Sequence, residues 1–225
     1  MPDSLGRPAV KIDRNNPGAD LAGETAAALA AGYLVFQNED AEFAAECLSH
    51  ARDLFDFAWE YRGKYSDVIH GAQTFYRSWS GYNDELSWAA AWLFRATGEA
   101  DYRSKADENY SGGVQNMFSW DNKQAGYQVL MAQILGEEPY VSDAKNYANH
   151  MANDATKTPK GNTKFILFGP VFRIVELYMI INFLSCIILS MNYIIRYSSP
   201  SSLRVSVGGL YKLDNCSVGK KYSIF

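Results

Sequence analysis

Between Asp20 and Asn153 apolar side chains recur at three- and four-residue spacing in six runs, each broken by glycine, proline or a short polar stretch, the signature of amphipathic helices. An alanine-rich helix is predicted from Asp20, as its N-cap, to about Gln37. A second begins near Asp40, with Phe43, Cys47, Leu48, Ala51, Leu54, Phe55 and Ala58 on one face and Glu42, Glu46, His50 and Asp53 on the other. The short connection makes the two antiparallel neighbours. A third helix is expected from about Asp84 to Thr97, with Leu86, Ala89, Ala90 and Leu93 inward and Gly98 in the left-handed position that ends it. A weaker fourth runs to about Asn109, a fifth from about Asp121 to Leu135, and a sixth to near Asn153. Gly98-Glu-Ala-Asp-Tyr102 and Gly136-Glu-Glu-Pro-Tyr140 repeat one punctuation, glycine, glutamate, two residues and tyrosine, between paired helices. Stacked helical hairpins and an all-α fold follow.

Two stretches lie outside that pattern. Residues 1–19, broken by Pro2, Pro8 and Pro17, read as a loop, and Tyr61–Ser80 is a long aperiodic segment dense in aromatic and polar residues, a length more often functional than not. After Gly161 the composition changes. No alanine follows Ala155, tryptophan, glutamine and histidine disappear, and Ile, Phe, Tyr, Ser, Asn and Leu dominate. The boundary is placed there, with residues 1–161 one domain and 162–225 a separate tail. Leu177 to Ile195 contains no charged residue and approaches the roughly 20 residues that cross a bilayer. A membrane anchor, a buried core helix and translated non-coding sequence are the three readings, and the residue types, those of A/T-rich codons, favour the last.

With 225 residues, 48% of them hydrophobic, the chain can bury a substantial core. A net charge of −4 and the lack of a basic stripe exclude a nucleic-acid binder. Cys47, Cys186 and Cys216 make no disulfide framework. Met1-Pro-Asp-Ser4 has neither a basic nor an apolar leader region, so no signal peptide is expected.

Candidate chemistry concentrates in Phe75–Leu93. Ser80, Gly81, Asp84 and Glu85 set two carboxylates beside a glycine turn, the oxygen-rich donor set that a hard cation such as calcium takes, although the spacing is not that of an EF-hand. The alternative is that Ser80 or Asn83 caps the helix and the two acids serve its first turn. Phe75, Tyr76 and Trp79 read either as core or as a platform for sugar rings.

Tyr61-Arg-Gly-Lys-Tyr-Ser-Asp67, Phe75-Tyr76, Trp79-Ser-Gly-Tyr-Asn-Asp-Glu-Leu86 and Trp88-Ala-Ala-Ala-Trp-Leu93 resemble the middle of a glycoside hydrolase family 9 endoglucanase of the animal and plant kind. Arg7-Pro8, Lys11-Ile12, Pro17-Gly18 and Asp20–Ala31 upstream, with Phe118-Ser-Trp-Asp-Asn-Lys123 and Thr158-Pro-Lys-Gly161 downstream, extend the likeness over about residues 7–161. The resemblance implies six hairpins in an (α/α)6 toroid, of which this chain supplies about half. It implies hydrolysis of internal β-1,4-glucosidic bonds of cellulose with inversion, by a secreted protein. It also implies a structural calcium, held by main-chain oxygens of Ser80 and Gly81 and side chains of Asp84, Glu85 and Asp121, with Asp121 at the start of the fifth helix. Tyr76 and Trp79, and more weakly Phe75, fall at positions that line glucan subsites; Trp88, Trp92 and Trp120 are read as core.

Inverting hydrolysis needs a base and an acid carboxyl about 6.5–9.5 Å apart, with water between them. In the family the base belongs to an Asp-x-x-Asp motif near the domain's beginning, and the acid to an Asn-Glu motif near its end. Neither can be placed here: Asp20–Glu24 starts a helix, Asn38-Glu-Asp40 connects two, and His50, His70 and His150 are read as solvated. The site therefore has no catalytic residue assigned. A second reading, different in class, is a noncatalytic glucan-binding half-toroid, membrane-tethered if 177–195 is a genuine segment. The chain as written is expected to be inert: the purified protein on a soluble cellulose derivative should release no more reducing sugar than a heat-killed control.

Overall fold

The computed structural model describes residues 10–154; the tail and its uncharged run at 177–195 lie outside them. Eight helices follow in order: α1 Ala19–Phe36, α2 Ala41–Glu60, the single turns α3 Tyr65–Val68 and α4 His70–Gln73, α5 Asn83–Thr97, α6 Ala100–Glu108, α7 Gln124–Leu135 and α8 Tyr140–Asn153. Among the described residues there is no strand beyond an isolated bridge between Asp13 and Asn16, and no helix is long and apolar enough to cross a membrane.

The long helices form three hairpins, α1–α2, α5–α6 and α7–α8, and burial separates an inner helix from an outer one in each. Asp84 to Leu93 of α5 and Ala125 to Ala132 of α7 are buried at every position, whereas α2 buries only Ala44, Cys47, Ala51, Leu54, Phe55 and Ala58. Helices apolar or buried all round must be covered on more than one side. Accordingly α5 packs against α1, α6 and α7, which makes α1, α5 and α7 consecutive inner staves with α2, α6 and α8 outside. This is part of an (α/α)6 toroid. Small residues let the staves close up: a Cβ on Gly23 of α1 would lie 3.1 Å from the Glu85 carbonyl oxygen of α5.

The helix ends follow their expected chemistry in most places. Asp40 caps α2, its carboxylate accepting the Phe43 N–H at 3.0 Å. Gly98 and Gly136 take φ of 73° and 66°, ending α5 and α7 in left-handed caps. The glutamate after each glycine then receives an arginine from the preceding outer helix. Arg52 of α2 donates to Glu99 at 3.0 Å and to the Tyr102 hydroxyl at 3.3 Å, and Arg103 of α6 donates to Glu137 at 2.7 Å. The repeated Gly-Glu-x-x-Tyr punctuation is thus a clasp between successive hairpins.

Three expectations change. Asp20 is not a cap: Gly18 holds that position, two residues earlier, and the buried Asp20 carboxylate reaches across to accept the Tyr65 N–H at 3.0 Å besides that of Leu21 at 2.9 Å. The aperiodic stretch contains the two single turns α3 and α4, too short to show a period. α7 begins at Gln124, so Asp121 sits in the turn before it.

Burial raises the Asp20 carboxyl to about 6, against the backbone donors that favour its anion. A carboxyl raised on folding adds stability that is complete below its unfolded value and lost as pH rises through the folded one. From pH 4 to pH 7 the folded chain is therefore expected to lose roughly 2 kcal/mol from this group. Thermal melts across that range should show the decline in the parent and its absence in Asp20→Asn, where the acceptor for Tyr65 remains and the charge does not.

Candidate functional site

The long segment after α2 is fastened at both ends. Ala19 N–H donates to the Gly63 carbonyl at 2.7 Å, Asp20 holds Tyr65, the Tyr65 hydroxyl donates to the Tyr76 carbonyl, and Ser78 N–H meets the buried Ser66 Oγ at 3.3 Å. Ser78 in turn donates through Oγ to the Gly81 carbonyl at 2.7 Å, closing a tight turn with Gly81 at φ 103°. A left-handed backbone of that kind suits glycine.

The turn's second anchor comes from far along the chain. Asp121 accepts Trp79 N–H at 2.8 Å through one carboxylate oxygen and Ser80 N–H at 3.3 Å through the other, and the Ser80 hydroxyl donates to the Asp121 carbonyl. Asp121 sits in a compact turn of its own, where Ser119 N–H donates to the Asn122 carbonyl at 3.0 Å and Ser119 Oγ accepts from Asp121 and Asn122. Two turns from different hairpins are thereby locked face to face at the N-terminal ends of α5 and α7.

Aromatic rings crowd this rim and are not covered. Phe75 is 76% exposed, Trp79 72%, Tyr76 43% and Trp120 44%. Trp120 does not enter the core; its ring meets Tyr76 edge to face at 5.8 Å, while the Arg77 guanidinium lies 4.5 Å over Trp79. Helical periodicity ends before Trp120, so nothing in its spacing could have marked it as outward. Trp88 and Trp92, on the inner helix, are buried as expected. His70 is exposed, and His50 and His150 are half-buried beside Glu46 and Asp154 at 3.7 and 3.5 Å.

Below the rim lies a buried acidic group. Neither Ser80 nor Asn83 caps α5; Tyr82 holds that position without a side-chain bond, leaving Asp84 and Glu85 buried in the first turn. Asp84 accepts the Lys123 backbone N–H at 2.7 Å. Glu85 Oε2 is buried and has no hydrogen-bond partner. Burial first, then the carboxylates of Asp84 and Glu24, push the Glu85 carboxyl well above the usual range, with Lys123 acting in the opposite sense. An orphaned carboxylate oxygen beside two further carboxylates is a site whose charge and donor type fit a hard cation. Asp121 is a poorer fit, since both its oxygens serve the Trp79–Ser80 turn; among the described residues no three acidic, histidine or cysteine side chains gather closely enough to hold a metal by themselves. Any ion there would depend on main-chain oxygens, of which the Gly81 carbonyl already accepts from Ser78.

A model of glycosyl hydrolase family 9 matches residues 1–178. The chain belongs to that family. The match runs past the composition change after Gly161. Endoglucanase 19 of Arabidopsis thaliana is 47% identical over 177 residues, covering 72% of this chain and 28% of the plant protein. Endoglucanase B of Cellulomonas fimi is 43% identical over 157 residues, 65% of this chain and 15% of its own length. Among solved structures, an endoglucanase from the termite Nasutitermes takasagoensis superposes with a TM-score of 0.67 at 42% identity, over 84% of this chain and 45% of the termite chain. Endoglucanase CelQ from Clostridium thermocellum, complexed with cellotetraose, does so at 0.57 and 25% identity, over 77% and 33%. The chain thus spans about a quarter of the plant relative and under half of the termite structure.

The face-to-face lock should be measurable. Asp121→Ala removes both acceptors of the Trp79–Ser80 turn and is expected to cost about 1–2 kcal/mol, as hydrogen bonds to a partly exposed charge do. Thermolysin should cut within 75–81 faster than in the parent, with the remaining cleavage pattern unchanged.

Proposed function

We infer that this chain is the part of an endo-β-1,4-glucanase that grips the glucan, and that it supplies binding surface and a cation seat rather than the acid and base of the hydrolysis. The observation that carries this reading is the group of uncovered rings at one rim: Trp79 and Trp120 on the two turns that Asp121 joins, Tyr76 edge to face with Trp120, and Phe75 beside Tyr76 in the chain. A β-1,4-glucan presents faces of axial C–H groups edged by equatorial hydroxyls. Flat, fixed rings such as these are the complement to those faces, and Arg77 beside Trp79 adds a donor for the hydroxyls. The complete protein would cleave cellulose chains internally with inversion, and a polymer outside cells as substrate fits a secreted protein.

In the same reading a structural calcium is held by Asp84 and Glu85 with main-chain oxygens of Ser80 and Gly81, and Asp121, expected from the resemblance as a further ligand, serves the Trp79–Ser80 turn instead. When bound, the ion would neutralise the buried acids and join α5 to the turn before it. The unpartnered Glu85 oxygen supports this assignment.

Electrophoresis through gels containing hydroxyethyl cellulose tests the platform. The parent is expected to be retarded, with Trp79→Ala and Trp120→Ala each weakening retention roughly two- to tenfold, the equivalent of about 0.5–1.5 kcal/mol for one ring contact. Equal migration with and without the polymer would overturn the assignment. Calcium is tested by melting: the parent's Tm should rise with added calcium. Glu85→Gln, which relieves like-charge crowding, should melt no lower than the metal-free parent and lose the calcium increment. An increment equal to the parent's would exclude Glu85 as a ligand.

A further inference from the structure

Lys123 is 3% exposed, and its ammonium group lies inside the fold at the junction of three elements. It donates to the Ser119 carbonyl at 2.7 Å and the Trp120 carbonyl at 2.9 Å, and pairs with Glu24 of α1 at 3.3 Å. The Phe118 ring covers it at 5.8 Å, and its own backbone N–H is held by Asp84 of α5 at 2.7 Å. A cation serving only to balance Glu24 would not need two carbonyls of the turn preceding it. Those two bonds orient consecutive peptide planes inward, which leaves the Trp120 side chain and the Asp121 carboxylate outward, where they meet Tyr76 and the Trp79–Ser80 turn.

We propose that Lys123 is a positioning residue for the aromatic platform: its ammonium, anchored by Glu24, fixes the Ser119–Asn122 turn from beneath and so sets Trp120 directly and Trp79 through Asp121. α1, which contributes no ring to the rim, thereby controls the rim's shape. The consequence for glucan binding rests on the reading of those rings as a sugar platform; the consequence for the turn does not. Buried charge-assisted hydrogen bonds are strong and directional, so one ammonium with two such bonds to the turn, held in place by its ion pair with Glu24, holds the turn more tightly than the turn's own bonds between Ser119 and Asn122.

Three variants of the full chain separate positioning from charge balance. Lys123→Met alone leaves the largely covered Glu24 without its cation and is expected to melt below the parent. Lys123→Met with Glu24→Gln restores the balance and should recover most of that loss, while hydrogen exchange in the peptide spanning 118–123 stays faster than the parent's by about tenfold, the effect of losing roughly one charge-assisted bond. Glu24→Gln alone, which keeps the apolar packing and the two carbonyl bonds, should show a smaller acceleration confined to the same peptide. Glucan retention should fall in the order parent, Glu24→Gln, double variant.

Parent-like exchange at 118–123 in the double variant overturns the proposal; if that variant does not fold, parent-like exchange in Glu24→Gln does so. Faster exchange in a parent-like fold, together with a parent that shows no glucan retention, supports Lys123 as the peg of the turn and rejects the sugar platform. The two readings therefore fail separately.

Discussion

A single buried hydrogen bond, from the Lys123 backbone N–H to Asp84 at 2.7 Å, joins the second hairpin to the approach of the third. A buried acidic side chain is costly unless donors surround it, and Asp84 stands on the first turn of α5 and accepts the Lys123 backbone N–H there. Bringing Lys123 to that point delivers its ammonium to Glu24 and places the Ser119–Asn122 turn above α5. Asp121 can then reach the backbone of Trp79 and Ser80. The rim is assembled downward from its exposed rings to this pair of buried charges, and each layer is held by the one beneath it.

Much of the scaffold could be read from the order of residues. The six long helices, the Asp40 cap and the glycine stops at Gly98 and Gly136 rest on local rules of period and backbone conformation, and these operate within a few residues of chain. The repeated Gly-Glu-x-x-Tyr signalled hairpins, although the arginines that complete it, Arg52 and Arg103, come from positions with no fixed offset. Of the candidate site, the exposure of its aromatic residues could be anticipated but not their arrangement. Trp79, Tyr76 and Phe75, singled out by family likeness as subsite positions, are each exposed. Trp120 was misassigned because its orientation is decided by a turn pinned from 41 to 42 residues away rather than by a helical period. In a string of letters Asp20 reads as a helix cap and Lys123 as an ordinary surface charge. They are buried because each satisfies backbone groups of a distant loop, and no pattern along the chain announces that.

The acidic group also shows where physical constraint and resemblance diverge. Glu85 has an unpartnered oxygen and a strongly raised carboxyl, features that a packed hydrophobic wall does not explain, since a small apolar residue would satisfy the close approach of Gly23 to the Glu85 backbone equally well. Asp121, by contrast, has its oxygens engaged, and its role is explained by the two turns it joins.

The arginine clasps lie at Gly98-Glu99 and Gly136-Glu137, at the C-terminal ends of α5 and α7, whereas the rings stand at the opposite ends of the same helices. With a rise of about 1.5 Å per residue, a stave of this size separates the two by roughly 20 Å. The arginine clasps and the exposed rings therefore occupy different poles of α5 and α7, and only the ring pole also carries the Asp84 and Asp121 bonds between neighbours. Ring substitutions at one pole leave the arginine seam at the other untouched, so the outline of the rim can change while that seam still holds its neighbours.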